Sequence, residues 1–564
     1  MKKILLSTIF CFIISCLCFS QTVELAKLSA GKLINSASLY DNEKDDVYGY
    51  FYIFEKDKVA KKENSYEYVL LDKNFNKVCT GEFSQPKLYV GIGSGQDISF
   101  SSVYRNGFIS IGIGWNNNTY NIFMMCAYRL LDVKENKLSD AFTLLPDMTK
   151  KYNPEEKTMG DLVSFFYYVN PFGYSLYAPI LTNKEKGMTK FRIGSGNNSM
   201  NDIVSNMMID ANSRINKFYF VNEKLEPLWY YSYNEGKPNK NEYSYISFLN
   251  EYDKRNKNIL MVFKSLRGKT NSKKIDKGER GNSYLFFNKN EGKLMAEISP
   301  FSKSSKEKGI KDVSVNSRFI DEAKQTVTFI SRTVNSKKAI MDENLIQGFS
   351  KSVYSLTDGK EIKRDYFSWS QLSPYLNIDG NGYVKEKDDP DCYLYLHDVL
   401  MKDNENTIFI LEEYKPIGNI FGRSFAGAKI NDLFFMELDK DMKLVQFQRI
   451  DKENKTVRAG AKLSGSWVNY YGYFDYAGYQ NLDGDNYLFF YYNKQKPEDG
   501  GKKQSVLGII SYIDGKFSEQ KLPLKSEDGS NMSVSPAKKG YIMVYETFND
   551  KDRGSELRLE KINY

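Results

Sequence analysis

The chain has 564 residues, with 79 Lys and Arg against 71 Asp and Glu and a formal charge of +8. So small an imbalance over such a length excludes a globally basic nucleic-acid binder. A single histidine excludes zinc sites built from several imidazoles, and a Ser-His-Asp or Cys-His mechanism would have only that one ring to use.

Lys2 and Lys3 followed by the apolar run Ile4 to Phe19 read as a secretory signal, too short and too poorly flanked for a stable membrane span. Cleavage after Ser20 would make Gln21 the new N-terminus, so residues 1–20 are expected to be a signal peptide and 21–564 one domain. The alternative is Ile13-Ile14-Ser15-Cys16, which has the form of a lipobox and would anchor the protein through Cys16. Either route implies an exported protein, periplasmic or extracellular, and no later stretch is apolar enough to span a bilayer as a helix. Cleavage after Ser20 removes two lysines, lowering the charge to +6, and leaves Cys79, Cys126 and Cys392. At most one internal disulfide is then available, so bridges do not hold this fold.

From there one pattern returns eight times: strand A, a short polar turn, an apolar strand B, a loop, then a hairpin of strands C and D. The B strands are expected at Tyr48–Phe54, Phe108–Ile113, Tyr174–Leu181, Ile259–Phe263, Thr326–Ile330, Thr407–Leu411, Tyr487–Tyr492 and Tyr541–Tyr545. Near-continuous apolar runs of this length suit strands covered on both faces. A strands precede them, as in Asp97–Val103, Tyr393–Met401, Tyr473–Tyr479 and Asn531–Ser535. Asn106-Gly107, Asp358-Gly359 and Asp514-Gly515 supply the positive torsions that tight hairpin turns need. In the third unit about thirty residues, Thr182 to Arg214, separate B from C, and Asn201–Asn212 there is the best helix candidate. The last unit has A, B and C (Glu556–Ile562) but no fourth strand, which Thr22–Leu28 or Lys32–Leu39 could supply.

The expected fold is therefore all-β: a β-propeller of eight four-stranded blades, about 68 residues each, its ring closed by the N-terminal strand pairing with the last blade. Seven blades follow if the third unit is an insertion. Two stacked β-sandwiches match the strand count but leave the repeated order unexplained.

Strand polarity places A–B and C–D turns at one end and B–C and D–A connections at the other. The second class is long: Lys56–Ser65, Thr182–Arg214, Ser265–Asn282 and Lys415–Asn431 between B and C, and Leu145–Leu162, Trp369–Cys392 and Asp451–Tyr471 between D and A. Long loops on a rigid scaffold are where binding residues concentrate, so this end is the expected working face.

Candidate residues on or near it carry a chemical reading and a plainer one. His397 lies on an A strand beside Asp398 and is either a site residue or a structural histidine. Asp388, Asp389 and Asp391, with Glu386, form an acidic run that has the residue types for carboxyl catalysis or calcium binding; as a solvated loop it needs neither, and no spaced calcium motif supports a metal. Trp467, Tyr470 and Tyr471, with Tyr473, are aromatic residues that stack on sugars or anchor a protein when exposed, and pack when buried. The basic stretch Arg267–Arg280 would attract an acidic polysaccharide or lipid headgroup, or is a solvated loop. No cofactor is implied. Trp-Asp blade endings, sialidase-type Asp boxes and repeated calcium loops are missing.

The signal, the segment Tyr-Gly-Tyr-Phe-Tyr-Ile-Phe-Glu-Lys-Asp-Lys at Tyr48–Lys58 and Leu70-Leu71-Asp72-Lys73-Asn74 resemble uncharacterised secreted β-propeller-like proteins of Bacteroidota. The resemblance implies a fold and an address and carries no catalytic residue. The expected function is a monomeric, non-catalytic binding or scaffold module of the cell envelope, holding a protein or glycan partner on the long-loop face. The alternative is a carbohydrate-active hydrolase or lyase using carboxylates and tyrosines on the same face.

Overall fold

The computed structural model describes residues 21–41, 46–60, 63–86, 88–89, 95–96, 98–117, 122–141, 207–210, 216–224, 227–233, 242–248, 256–268, 282–300, 311–334, 346–385, 392–418, 426–458, 462–495, 504–524, 531–548 and 555–564. They are overwhelmingly strand and divide into two compact units, Met1–Lys87 with Leu524–Tyr564, and Leu88–Pro523. Among the described residues no helix is long and apolar enough to cross a membrane. The expected signal and the Cys16 lipobox lie outside the described residues.

The first unit holds two four-stranded antiparallel sheets. One runs Lys32–Asp41, Asp46–Ala60, Glu63–Asp72, Lys77–Pro86 in chain order. Tyr50 through Phe54 are all buried, so both pleats of that strand are covered, as its unbroken apolar run predicts. The other sheet takes Asn531–Pro536, Tyr541–Thr547 and Ser555–Lys561 from the C-terminus and Gln21–Glu24 from the N-terminus, with Gln21 opposite Leu559 and Glu24 opposite Glu556. Of the two candidates for this fourth strand, the earlier segment supplies it. The loop expected over Lys56–Ser65 is a correction: the strands run on to Ala60 and resume at Glu63. Its polar residues do not break the sheet because they pair across it, Lys56 with Glu82 and Asn64 with Glu55.

Among the described residues the second unit contains four sheets of four strands in chain order, one of three, one of six and a two-stranded ribbon. Hairpin tips follow the Asn-Gly and Asp-Gly rule: Asn106 and Gly107 have φ of 44° and 87°, Asp514 and Gly515 of 50° and 78°. The expected B strand Tyr174–Leu181 lies outside the described residues. The helix expected over Asn201–Asn212 is corrected where it is described, since Met207–Asp210 is a strand paired with Asn216–Val221. The cross-strand ladder overrides a weak local helix pattern. The α-helices among the described residues are short, Leu25–Leu28 and Gly465–Tyr470.

The core of this unit lies between consecutive sheets. Along Thr407–Ile417, Phe409 and Leu411 pack with Ile330, Phe349 and Phe367 of the preceding sheet and with Trp369 in the turn that follows it. Ile408 and Ile410 point the other way, into Tyr487, Phe489, Tyr491 and Ile510 of the following one. Thr326–Val334 repeats the device, with Val327 and Phe329 on one side and Ile330 on the other. A two-residue period thus covers each middle strand with a different sheet on each face, an arrangement a two-sheet sandwich lacks.

Deleting Gln21–Glu24 should strip the outer partner from Ser555–Lys561, expose its edge and cost on the order of 1–3 kcal/mol, from a few net hydrogen bonds. The check is the urea midpoint together with light scattering: the shortened protein should unfold earlier and aggregate more readily.

Candidate functional site

The site grows from the connection between Leu444–Ile450 of the six-stranded sheet and Tyr476–Asn481 of the next; within it Lys455–Arg458 pairs back onto Gly427–Leu438 as the sixth strand. Lys452, at its start, is buried with its Nζ 2.7 Å from Glu412 Oε1 and 2.9 Å from Asp475 Oδ2. Asp475, at its end, also accepts from Asn493 Nδ2 and Lys455 Nζ, each at 3.0 Å. The backbone N–H groups of Asp475 and Tyr476 donate to the Glu412 carboxylate at 3.0 and 3.1 Å, and Lys455 Nζ donates to Tyr473 O at 2.7 Å. Both ends of the connection therefore converge on one buried carboxylate. Burial pushes the Glu412 carboxyl up, but Lys452 and His397 outweigh it and hold the group well below the usual carboxylate range. Burial likewise pushes Lys452 down, while Asp475 and Glu412 raise it above an ordinary lysine.

His397 belongs to this network. It is the extra residue in the pairing of Cys392–Met401 with Thr407–Ile417, where the register shifts between Leu396 and Asp398. That bulge turns its ring inward, where Nε2 donates to Glu412 Oε2 at 2.8 Å. Tyr395, Phe474 and Tyr476 surround the ring at centroid distances of 5.0, 4.8 and 4.9 Å. Neighbouring Asp398 accepts from Tyr476 Oη at 2.9 Å. The side chain of His397 is 3% exposed and is spent on holding the connection.

Between its anchors the connection has a small core of its own: Leu463, Val468 and Phe474 pack with Tyr414, Ala428 and Ile430. The helix Gly465–Tyr470 turns Val468 into that core, and glycine at its first position is a steric need. Gly465 N donates to Tyr414 Oη at 2.9 Å, and a Cβ there would lie 2.6 Å from the Tyr395 ring and 2.8 Å from Tyr414 Oη. With Val468 turned inward, Trp467 and Tyr471 share the outer face at a spacing of four. Their rings stack at 5.7 Å, and Tyr473 continues the row at 5.6 Å from Tyr471. Trp467 is 52% and Tyr471 47% exposed.

Beneath the start of that helix lies a cavity of about 150 Å³. Its lining includes the apolar Ile346, Leu394 and Leu396, and Tyr395, Tyr414, Gly465 and Ser466. It is also lined by Ser314 and Asn316, from Lys311–Asp321, and Arg332, from Thr326–Val334. Ser314 and Tyr395 lie near the beginnings of A strands, Arg332 and Tyr414 near the ends of B strands. The cavity thus opens at the end of the strands where B–C and D–A connections leave.

Of the residues singled out from sequence, Trp467 and Tyr471 are brought together on the surface, while His397 is buried in the ion network. Tyr470 closes the helix. Asp388, Asp389 and Asp391 lie outside the described residues, as does the basic stretch beyond Gly268. Sequence reading missed Glu412, Lys452 and Asp475, and also Arg332, Tyr395 and Tyr414. The one available signal was Glu412-Glu413 continuing an apolar strand, two acids that burial tolerates only with partners. Among the described residues no group of three His, Cys, Asp or Glu is placed to hold a metal ion. Cys79 and Cys392 are buried, and Asn431 Nδ2 donates to Cys392 Sγ at 3.4 Å.

The model of the family of unknown function (DUF6770) matches residues 1–95 and 238–563. No curated protein matches the sequence. Among solved structures, an ulvan lyase of polysaccharide lyase family PL25 is similar at 9% identity and a TM-score of 0.26, over 80% of this chain and 77% of that one. The β-propeller domain of the Trilobed protease from Pyrococcus furiosus gives 9% and 0.26 over 87% and 95%, and the endo-arabinase from Bacteroides thetaiotaomicron VPI-5482 gives 10% and 0.21 over 54% and 90%. Likenesses this low assign neither activity nor ligand.

Lys452→Met should cost about 3–5 kcal/mol, because it strands two buried carboxylates. The pH dependence has a definite sign. A carboxyl held low in the folded state contributes stability above its unfolded value of about 4.3 and loses it as pH falls; a lysine held high contributes below about 10.4 and loses it as pH rises. Denaturation midpoints should be flat between those limits and fall below about pH 4.5, with a shallower acid slope in Glu412→Gln.

Proposed function

The chain belongs to the family of unknown function (DUF6770), and we propose that it is an exported, non-catalytic saccharide-binding module of the cell envelope. The ligand lies across the Trp467–Tyr471 shelf with one sugar-sized group in the adjoining cavity. The observation that carries this reading is a stacked, half-exposed Trp–Tyr pair on a connection pinned at both ends by buried ion pairs. A flexible loop would lose entropy on presenting such rings, whereas this one holds them in place beforehand. Flat aromatic faces suit the apolar faces of pyranose rings.

The cavity favours a saccharide over a protein anchor. Hydroxyl and amide groups of Ser314, Asn316, Tyr395, Tyr414 and Ser466 line it together with apolar side chains, a lining that offers the donors and acceptors a polyhydroxylated ring requires. A glycosidase would need two carboxyl groups facing the sugar. Among the described residues none lines the cavity, and Glu412 and Asp475 are engaged with Lys452. This favours binding over hydrolysis.

On the same reading the repeated sheets are blades of one eight-bladed propeller over 21–564, monomeric and closed through Gln21–Glu24. The pairing of that segment with Ser555–Lys561 supports closure.

Affinity electrophoresis of the chain from Gln21 onward through gels containing a panel of polysaccharides tests the proposal. At least one polymer should retard it, and Trp467→Ala and Tyr471→Ala should each weaken that retardation about tenfold, some 1.4 kcal/mol. Gly465→Ala, which crowds Tyr395 and Tyr414, should weaken it too. Retardation by no polymer, or equal retardation of both shelf variants and the parent, overturns it.

A further inference from the structure

Resting on that saccharide reading, we infer that the sugar held in the cavity bears an N-acetyl group, and that Asn316 Oδ1 receives its amide N–H. Asn316 lies on Lys311–Asp321, where Val315 stands opposite Ser331 and Ser317 opposite Ile330. It is therefore the extra residue of a bulge, and a bulge re-aims the side chain it carries. The following sheet repeats the device at His397, whose ring is taken up by Glu412. Asn316 instead lines the cavity. Its Oδ1 is buried, and among the described residues no donor reaches it.

A buried carbonyl oxygen without a donor is costly, so a protein seldom keeps one without a use for it. Such an atom rewards a ligand that brings an O–H or N–H and rejects one that brings neither. The rest of the lining separates those two donors. Ile346, Leu394 and Leu396 line the same space. A ring hydroxyl would satisfy Oδ1 and leave these apolar side chains unused. An acetamido group brings an N–H together with a methyl, and burying that methyl against them adds affinity in proportion to the area covered. Its carbonyl needs a donor in turn. Ser314 Oγ accepts from Arg332 Nε at 2.7 Å, so the serine's own hydrogen points elsewhere and supplies one. A free amino sugar also brings N–H donors, but as a cation it would enter a space that no carboxylate among the described residues lines. The shelf then holds the rings of the chain while the cavity reads the substituent.

The test adds glycol chitin, glycol chitosan and hydroxyethyl cellulose to the electrophoresis panel, three polymers of one backbone that carry an acetamido, an amino and a hydroxyl group at the same carbon. Whichever polymer of the panel retards the parent most is then competed with free N-acetylglucosamine and N-acetylgalactosamine, and with glucose and galactose. At least one N-acetyl sugar should displace the protein at about tenfold lower concentration than its hydroxyl counterpart, and if glycol chitin is bound it should be bound about tenfold more tightly than the other two. Asn316→Ala should abolish that preference while binding to the hydroxyl sugars stays within about twofold. Because Oδ1 has no donor among the described residues, the substitution should leave the urea midpoint unchanged or raise it. If Asn316→Ala does not fold, the competition series on the parent decides alone. Equal displacement by N-acetyl and hydroxyl sugars, or an Asn316→Ala that keeps the preference or loses both kinds of binding together, overturns the N-acetyl inference and leaves saccharide binding standing. Retardation by no polymer overturns both.

Discussion

Lys452 is buried between two carboxylates, and the placement of the aromatic shelf depends on it. The residue opens a connection and Asp475 ends it; Glu412, on a strand between them in space, accepts from both. Desolvating these groups is costly, and the cost is offset only because each carboxylate also receives further donors: His397 and Tyr476 N for Glu412, Asn493 and Lys455 for Asp475. A network satisfied this fully tolerates little displacement. It defines where the connection begins and ends, and the small core of Leu463, Val468 and Phe474 defines its course between.

The sheets supply the other half of the constraint. Because alternate residues of each middle strand enter different cores, a one-residue slip would exchange both faces at once. The bulge at His397 is one of several register shifts, and it occurs where the histidine side chain turns toward Glu412. The same strand pair brings Tyr395 and Tyr414 to the cavity rim, so the ion network and the cavity wall are built on shared backbone.

What could be read from the chain and what could not divide along physical lines. Near-continuous apolar runs located the B strands among the described residues, since that pattern is local; Asn106-Gly107 and Asp514-Gly515 located turns because only certain residues adopt those torsions readily. The N-terminal partner for the last sheet followed from a missing strand. Strand ends were misjudged where charges are paired. Thr407–Ile417 runs past Leu411 because Glu412 finds Lys452, forty residues away, and Asp46–Ala60 runs past Phe54 because Lys56 finds Glu82. Tyr473 was expected to begin a strand that starts at Tyr476, the preceding residues being committed to the connection's core. Trp467 and Tyr471 were visible as aromatic residues, but their exposure depends on Val468 taking the inward face.

A cavity assembled from residues 314 to 466 has no signature in any one segment. Arg332 looks like an ordinary charged residue near the end of a strand, and Gly465 like an ordinary loop glycine. Their meaning comes from what approaches them: a serine that holds the guanidinium, and two tyrosine rings that leave no room for a Cβ. This is why the shelf alone underdetermines the ligand. Exposed aromatic rings accept almost any chain with an apolar face, and selectivity has to come from polar groups fixed beside them. In this molecule those groups face a space of about 150 Å³, room for one ring or one substituent at a time on the proposed reading. On the saccharide reading, affinity would scale with how much chain the shelf holds, and discrimination with what the polar groups lining the cavity recognise.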